Sequence, residues 1–291
     1  MLNRDKLEFY VFRGFVWIAK LIGITHLKYF AFTVAVIFYY IIPIRKKVVL
    51  KNLRTAFPFY SNRQIKKITF RNYYNFTTVF FEMMCMSYIS RETLHSYVNC
   101  INLELIKEKF NINKRLVLLT AHIGNWELGA ASASSQLGIP FHVLAKPQRN
   151  PYMTNWLKSN REMFGNKEIL LGLSARDIFI ILKNGGIVGV LGDQRGPNES
   201  PRVKFFGRDT AINSGIAAIA LKTKTPVVVA MIIRQPSGLY NVYLEELKLE
   251  ELKGNKEEQI IEFNQKYMHI LEKYVTKHPE QWFWMHNIWK Y

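Results

Sequence analysis

The sequence predicts an α/β protein, a mixed sheet flanked by helices, with an N-terminal hydrophobic helical region that anchors it to a membrane. After residue 112, short apolar runs of strand length alternate with amphipathic segments of helix length, the pattern of a sheet covered by helices. Before residue 45 the chain is apolar and aromatic with few charges, as a segment at a lipid interface is. No linker, internal repeat or low-complexity tract divides it. The expected division is residues 1–45 as membrane-anchoring hydrophobic helices and residues 46–291 as an α/β domain.

In chain order, Phe9 to Leu27 is apolar with single basic residues at Arg13 and Lys20, which reads as an interfacial helix. Tyr29 to Ile44 is sixteen residues without a charge, between Lys28 and Arg45. At about 1.5 Å per residue it falls short of the roughly 30 Å hydrocarbon core. Spanning would require tilt or snorkelling by the flanking cations, so spanning and lying flat both stay open. The segment is too long for a signal peptide and lacks a small-residue cleavage site.

Helical composition continues from Arg45 to Ser90, with a break at Pro58 and a new N-cap at Ser61–Asn62. Met83, Met84 and Met86 are core packing or the lining of a lipid groove, because Met adapts to irregular apolar shapes. Glu82, inside that apolar stretch, has no evident role in the sequence alone. Strands are expected at Leu116–Thr120, Phe141–Ala145, Ile187–Leu191, Val227–Ile233 and Tyr240–Leu244. Helices are expected at Trp126–Gln136, Tyr152–Phe164, Ala175–Lys183 and Ile212–Lys222. A long amphipathic helix then places Ile260, Phe263, Tyr267, Leu271 and Tyr274 on one face, and Pro279 stops it. The last stretch, PEQWFWMHNIWKY, reads as an aromatic tail docked on the domain.

The chemistry gathers around Arg115 to Gly129, RLVLLTAHIGNWELG. His122 stands where the first strand of the sheet ends, and Asn125 is placed to cap the helix that follows. Glu127 comes five residues after His122; on a continuous helix the two would point about 140° apart. A turn can instead fold the imidazole over the first helical turn toward the carboxylate. The pair reads as a general base, His122, with an acidic orienter, Glu127, and no nucleophile attached. That suits acyl transfer in which a substrate hydroxyl attacks, with backbone N–H groups near Gly124–Trp126 stabilising the oxyanion. No covalent acyl-enzyme is required. Ligands of open α/β sheets collect beyond the carboxyl ends of strands, and further polar groups follow the other strands. They are Lys146 and Arg161; Asp193, Gln194 and Arg195; and Phe206, Arg208 and Thr210. With Asn125 and Trp126 these are the candidate substrate-binding residues, suited to a phosphorylated, hydroxylated ligand.

Composition narrows the partners. The net charge is +18, and residues 1–75 hold fourteen Lys or Arg against Asp5 and Glu8, a net +12. A positive, aromatic-rich quarter fits an anionic membrane surface. Nucleic acid is not expected, because the aromatics lie in long apolar runs rather than in an RNP-like strand. Cys85 and Cys100 are the only cysteines, too few for a disulfide framework or a Cys-based zinc site. GxSxG, GxGxxG, P-loop and HExxH motifs are all missing. No metal or organic cofactor is expected. A basic membrane-binding protein without catalysis is the reading from another class.

The whole pattern resembles the late, or secondary, acyltransferases of bacterial lipid A biosynthesis, within the lysophospholipid acyltransferase superfamily. The residues that carry the resemblance are the basic hydrophobic N-terminus, NLRTAFP at 52–58 and AHIGNWELG at 121–129. They continue with Lys146-Pro147, Asn150-Pro151, Arg161 with Gly165, Gly192-Asp193-Gln194, the KFFG loop with Thr210, and PEQWFWMHN. The resemblance implies a membrane-bound enzyme of the cytoplasmic (inner) membrane whose active site faces the cytoplasm. It would move a fatty acyl chain from acyl carrier protein to a hydroxyl of a lipid A precursor, a phosphorylated glycolipid. His122 matches the family's base, Glu127 its acidic partner, and residues 46–291 become the acyltransferase domain. Lys146 stands where Arg is more usual, and Ile288 where a basic residue is. An acyl-CoA donor, or another glycolipid, aminolipid or phosphoglycerol acceptor, keeps the same pair.

Overall fold

In the computed structural model, which describes residues 3–170 and 174–290, the apolar N-terminus folds as two helices, α1 (Arg4–Ile22) and α2 (Leu27–Tyr40). The outermost ends of the 1–45 and 46–291 units lie outside the described residues. α3 (Lys46–Ala56) ends before Pro58, and α4 (Asn62–Cys85) starts at a capping box between Ser61 and Gln64, which satisfies amides the helix cannot bond itself. α1, α2 and α3 all pack on α4. Among the described residues no helix is long and apolar enough to cross a membrane.

A short α5 (Arg91–Tyr97), β1 (Val98–Cys100) and α6 (Glu104–Asn113) lead into the α/β part. There β2 (Leu116–Thr120), α7 (Trp126–Leu137), β3 (Phe141–Ala145), α8 (Pro151–Met163) and β4 (Lys167–Leu170) alternate. α9 (Ser174–Lys183) and β5 (Ile187–Leu191) follow, then a hairpin of β6 (Arg202–Phe205) and β7 (Arg208–Ala211). α10 (Gly215–Thr223), β8 (Val227–Arg234), β9 (Tyr240–Leu247) and α11 (Lys256–Lys277) complete the order.

The described strands form a seven-stranded sheet, β1-β9-β8-β2-β5-β3-β4, with β6–β7 as a separate pair. All its neighbours are parallel except β8 and β9, which run antiparallel. The sheet is therefore mixed. Alternation splits the core, because successive strand residues point to opposite faces. Val117 and Leu119 pack with Phe263, Tyr267 and Leu271 of α11, while Leu116 and Leu118 pack with Ile106 and Ala133 of α6 and α7.

Three expected strands are found with the same bounds, and β8 and β9 run one and three residues further. The helix expected at Ile212 begins instead at Gly215, because Ile212 pairs with Arg195 in a β-bridge. The KFFG loop and Thr210 fall within the β6–β7 hairpin. β1 and β4, of three and four residues, are too short to show a period.

Candidate active site

The site begins where β2 runs out. Ile123 N–H turns back to the carbonyl of Ala121 at 2.8 Å, and Gly124 adopts φ +58°. A Cβ on Gly124 would lie 2.0 Å from the backbone oxygen of Ile232, so only glycine fits this approach of the turn to β8. Asn125 then caps α7, its Oδ1 accepting from Leu128 N–H at 3.1 Å. The C-terminal tail closes over the turn. Gly124 N–H donates to Gln281 O, Phe283 N–H donates to His122 O, and Ile123 bridges Trp282.

His122 is held at the end of β2 by Asp193, the second residue after β5. Its Nδ1 lies 2.7 Å from Asp193 Oδ1, and its backbone N–H donates to Oδ2 at 2.8 Å. Trp282 Nε1 donates to the same Oδ2 at 2.8 Å. This corrects the expected pairing: the carboxylate on Nδ1 is that of Asp193, not Glu127. The β2–β5 pairing sets Thr120 beside Leu191, so residues just beyond each strand converge. Five residues of turn and helix do not bring Glu127 to the same place. Burial opposes charging His122, yet the charge and hydrogen bond of Asp193, with the field of Glu127, hold its pKa above the ordinary value. Burial would raise the pKa of Asp193, but His122, the backbone amide and Trp282 bring it below the usual range. Nε2 faces Gln194, whose Nε2 is 3.5 Å away.

Glu127 belongs to a second ionic cluster. Arg161 donates to both its oxygens, Nε at 3.0 Å and Nη2 at 2.7 Å, and also to Glu168. A third cluster gives Glu82 its reason. This fully buried carboxylate accepts from Arg234, from Tyr240 OH at 2.7 Å, from Tyr97 OH at 3.1 Å and from Asn125 Nδ2 at 3.0 Å. Asn125 is thus spent on capping and on Glu82, and is not open to a substrate. The Gly124 amide, expected to help stabilise an oxyanion, is likewise spent on Gln281.

A cavity of about 500 Å³ starts at His122, Glu127, Arg161 and Gln194 and runs under α7 to Ile106, Phe141 and Leu244. Its walls are mostly apolar, with Lys146 and Gln148 at the polar part. Trp126 lines it, 4.9 Å from the His122 ring in an edge contact. The expected Phe206, Arg208 and Thr210 are not among its walls. Phe206 packs on Phe57 and Trp284, Thr210 accepts from Trp289 Nε1, and Arg208 is exposed on the hairpin. The β6–β7 hairpin lies against α11, away from the cavity. Arg195 is drawn to the tail: its amide donates to His286 Nε2 at 3.0 Å and its Nη1 to Asn287 O. Burial, then the Arg195 charge, keep the His286 pKa low, which suits an accepting Nε2.

Sequence reasoning missed Gln281, Trp282 and His286, although their aromatic stretch was the available signal. Arg234 gave none. Among the described residues no three His, Cys, Asp or Glu side chains are grouped to hold a metal ion.

Comparison with known proteins covers most of the chain. A family model described as bacterial lipid A biosynthesis acyltransferase matches residues 4–291. The lipid A biosynthesis lauroyltransferase of Escherichia coli K12 is 23% identical over 249 residues, 84% of this chain and 79% of that protein. The palmitoleoyltransferase of lipid A biosynthesis from the same organism is 23% identical over 251 residues, with the same coverage. So is a lipid A biosynthesis acyltransferase of Shigella flexneri, also 23% identical over 251 residues.

Proposed function

Because the chain belongs to the bacterial lipid A biosynthesis acyltransferase family and is an acyltransferase, we propose that it acylates a lipid A precursor from acyl carrier protein by general-base catalysis at His122. One arrangement carries the reading: an imidazole tied through Nδ1 to a buried carboxylate, at the head of an apolar cavity. Asp193 keeps the proton on Nδ1, which leaves Nε2 as the basic nitrogen. Nε2 takes the proton of the acceptor hydroxyl as its oxygen attacks the thioester carbonyl. Amides at the start of α7 stabilise the oxyanion. The intermediate collapses, the C–S bond breaks, and the imidazolium returns its proton to the departing thiolate. Glu127 adds its field to that of Asp193 on the imidazolium and holds Arg161 at the cavity wall.

The apolar cavity takes the fatty chain, while Lys146, Gln194 and Arg161 face the polar end of the substrates. Residues 1–45 anchor the enzyme to the cytoplasmic membrane with the site on the cytoplasmic side, and an acidic carrier protein is drawn to the cationic N-terminal quarter.

The test is an assay with carrier-protein thioester and lipid A precursor, product followed by mass, comparing wild type with His122→Ala, Asp193→Asn and Glu127→Gln. Product that depends on His122 supports the class, and a larger pH-profile shift in Asp193→Asn than in Glu127→Gln supports Asp193 as orienter. Turnover surviving His122→Ala removes the base. Product only with acyl-CoA, or only on another glycolipid, aminolipid or phosphoglycerol, reassigns donor or acceptor.

A further inference from the structure

The outer side of the α1–α2 pair is unlike the rest of the surface. Trp17 is 62% exposed, Leu21 66% and Ile41 71%, and Tyr10, Phe15 and Phe32 are exposed beside them. Exposed Arg13, Lys20, Lys28 and Lys47 are set among these side chains. Of the acids nearby, Glu8 is already bonded by Arg4 and Arg149. An apolar face this large, interleaved with cations, matches an anionic lipid leaflet in both hydrophobicity and charge.

The inner side decides how deep the pair goes. Phe12, Val16 and Ala19 of α1, with Leu27 and Ala31 of α2, are buried, and the pair packs on α4 and α8. Crossing the membrane would strip those contacts. It would also carry the charges of Arg13 and Lys20 into hydrocarbon, which is costly. α2, at 14 residues, reaches about 21 Å against a core of roughly 30 Å.

The same helices wall the cavity of His122. Phe12 of α1 and Phe80 of α4 both line it, their rings 6.5 Å apart, and Phe12 meets Trp156 edge-on at 4.8 Å. Phe12 is 8% exposed but Phe80 is 50% exposed, so the cavity wall reaches the surface at Phe80, beside α1. We propose that the α1–α2 pair lies within one leaflet of an anionic bilayer, and that the cavity opens laterally into that leaflet between Phe12 and Phe80. The opening deepens the acyltransferase reading and rests on it for its purpose: acyl chains of a membrane-held lipid reach His122 without leaving hydrocarbon.

The experiment needs no turnover, so it stands apart from any failure of the assay. Purified full chain is added to sealed phosphatidylglycerol/phosphatidylcholine vesicles carrying a diazirine phospholipid. Thr25→Cys marks the exposed α1–α2 connection, and the parent protein sets the background from Cys85 and Cys100. Expected are modification of position 25 by external impermeant maleimide, with none by maleimide trapped in the lumen, and lipid crosslinks on the peptides containing Phe12 and Phe80. A Phe15→Glu/Leu21→Glu variant should partition into the vesicles about tenfold less or worse. Luminal modification of position 25 would overturn the one-leaflet placement. Crosslinks confined to the outer faces of α1 and α2, without Phe80, would overturn the opening. Unchanged partitioning of the double variant, with dimers in solution dispersed by it, would give the face to a second copy of the chain.

Discussion

Two buried carboxylates flank the turn from His122 to Asn125, Asp193 on one side and Glu82 on the other, and their partners differ in kind. Glu82 is matched by Arg234, a permanent cation whose pKa is driven higher still despite burial, and by the hydroxyls of Tyr97 and Tyr240 and the amide of Asn125. None of these gives up a proton near neutral pH. Asp193 is matched by an imidazole that can, plus two fixed N–H donors. The partners of Glu82 thus keep their protons, whereas the charge beside Asp193 changes as His122 gains or loses one. A buried carboxylate beside a reacting group is therefore read by asking whether its cation can be discharged. Glu82 holds the backbone of the site, whereas Asp193 holds the imidazole that the proposed mechanism uses as its base.

Removing the imidazole is the largest break of this contrast. His122→Ala should lower turnover about 10⁴-fold, and it should also lower the thermal unfolding midpoint, because the buried Asp193 keeps only its two N–H donors. Asp193→Asn should cost about 10³-fold, since the amide cannot hold Nδ1–H with a negative charge. Its pH profile carries the sign. As the proposed base, His122 would act when unprotonated, so activity should rise with pH through its pKa, which Asp193 now holds high. Without that charge the acid limb moves to lower pH, by about a unit or more. Glu82→Gln should do the opposite on both counts. It leaves Arg234 buried without its counter-charge and lowers stability by about 3 kcal/mol, read as a drop in the urea midpoint. The surviving folded enzyme should keep the wild-type acid limb. A shifted limb in Glu82→Gln would mean that the two clusters are not separate.

The same contrast explains what could be read from the sequence. β2, β3 and β5 were legible because each is a short, largely apolar segment ending at a polar turn, and the caps at Ser61 and Asn125 are local signals. His122 was legible as a polar residue at a strand end. Its partner was not, because Asp193 lies 71 residues away and reaches it only through the pairing of β2 with β5. Glu127, adjacent in sequence, was the natural choice, and Arg161 takes it instead. Glu82 stood out as a lone charge among apolar residues, but Arg234, 152 residues on, sits at the end of a strand where an Arg is ordinary. Ile288 gave no sign that it is buried in the core beside Trp282 and Trp284.

The smallest test uses the tail, which touches both clusters. Gln281 makes two hydrogen bonds with the backbone of Arg234, at 2.8 and 2.9 Å, and Trp282 donates to Asp193. Asn52 and Asn72 fix the tail from α3 and α4, each donating to two of its carbonyls. Trp282 is fully buried, and Trp282→Phe keeps an aromatic ring there while deleting the N–H on Asp193. A donor to a buried carboxylate is worth about 1.5 kcal/mol, so turnover should fall by about tenfold. With one donor fewer, the Asp193 oxygens bear more charge toward His122, its pKa rises, and the acid limb moves up in pH, opposite to Asp193→Asn. Opposite shifts from two substitutions on one hydrogen-bonded chain are hard to obtain from general loosening of the fold, which would move both profiles alike. A downward shift in Trp282→Phe would instead mean that the indole acts by packing, and the tail would then belong with the scaffold of Glu82.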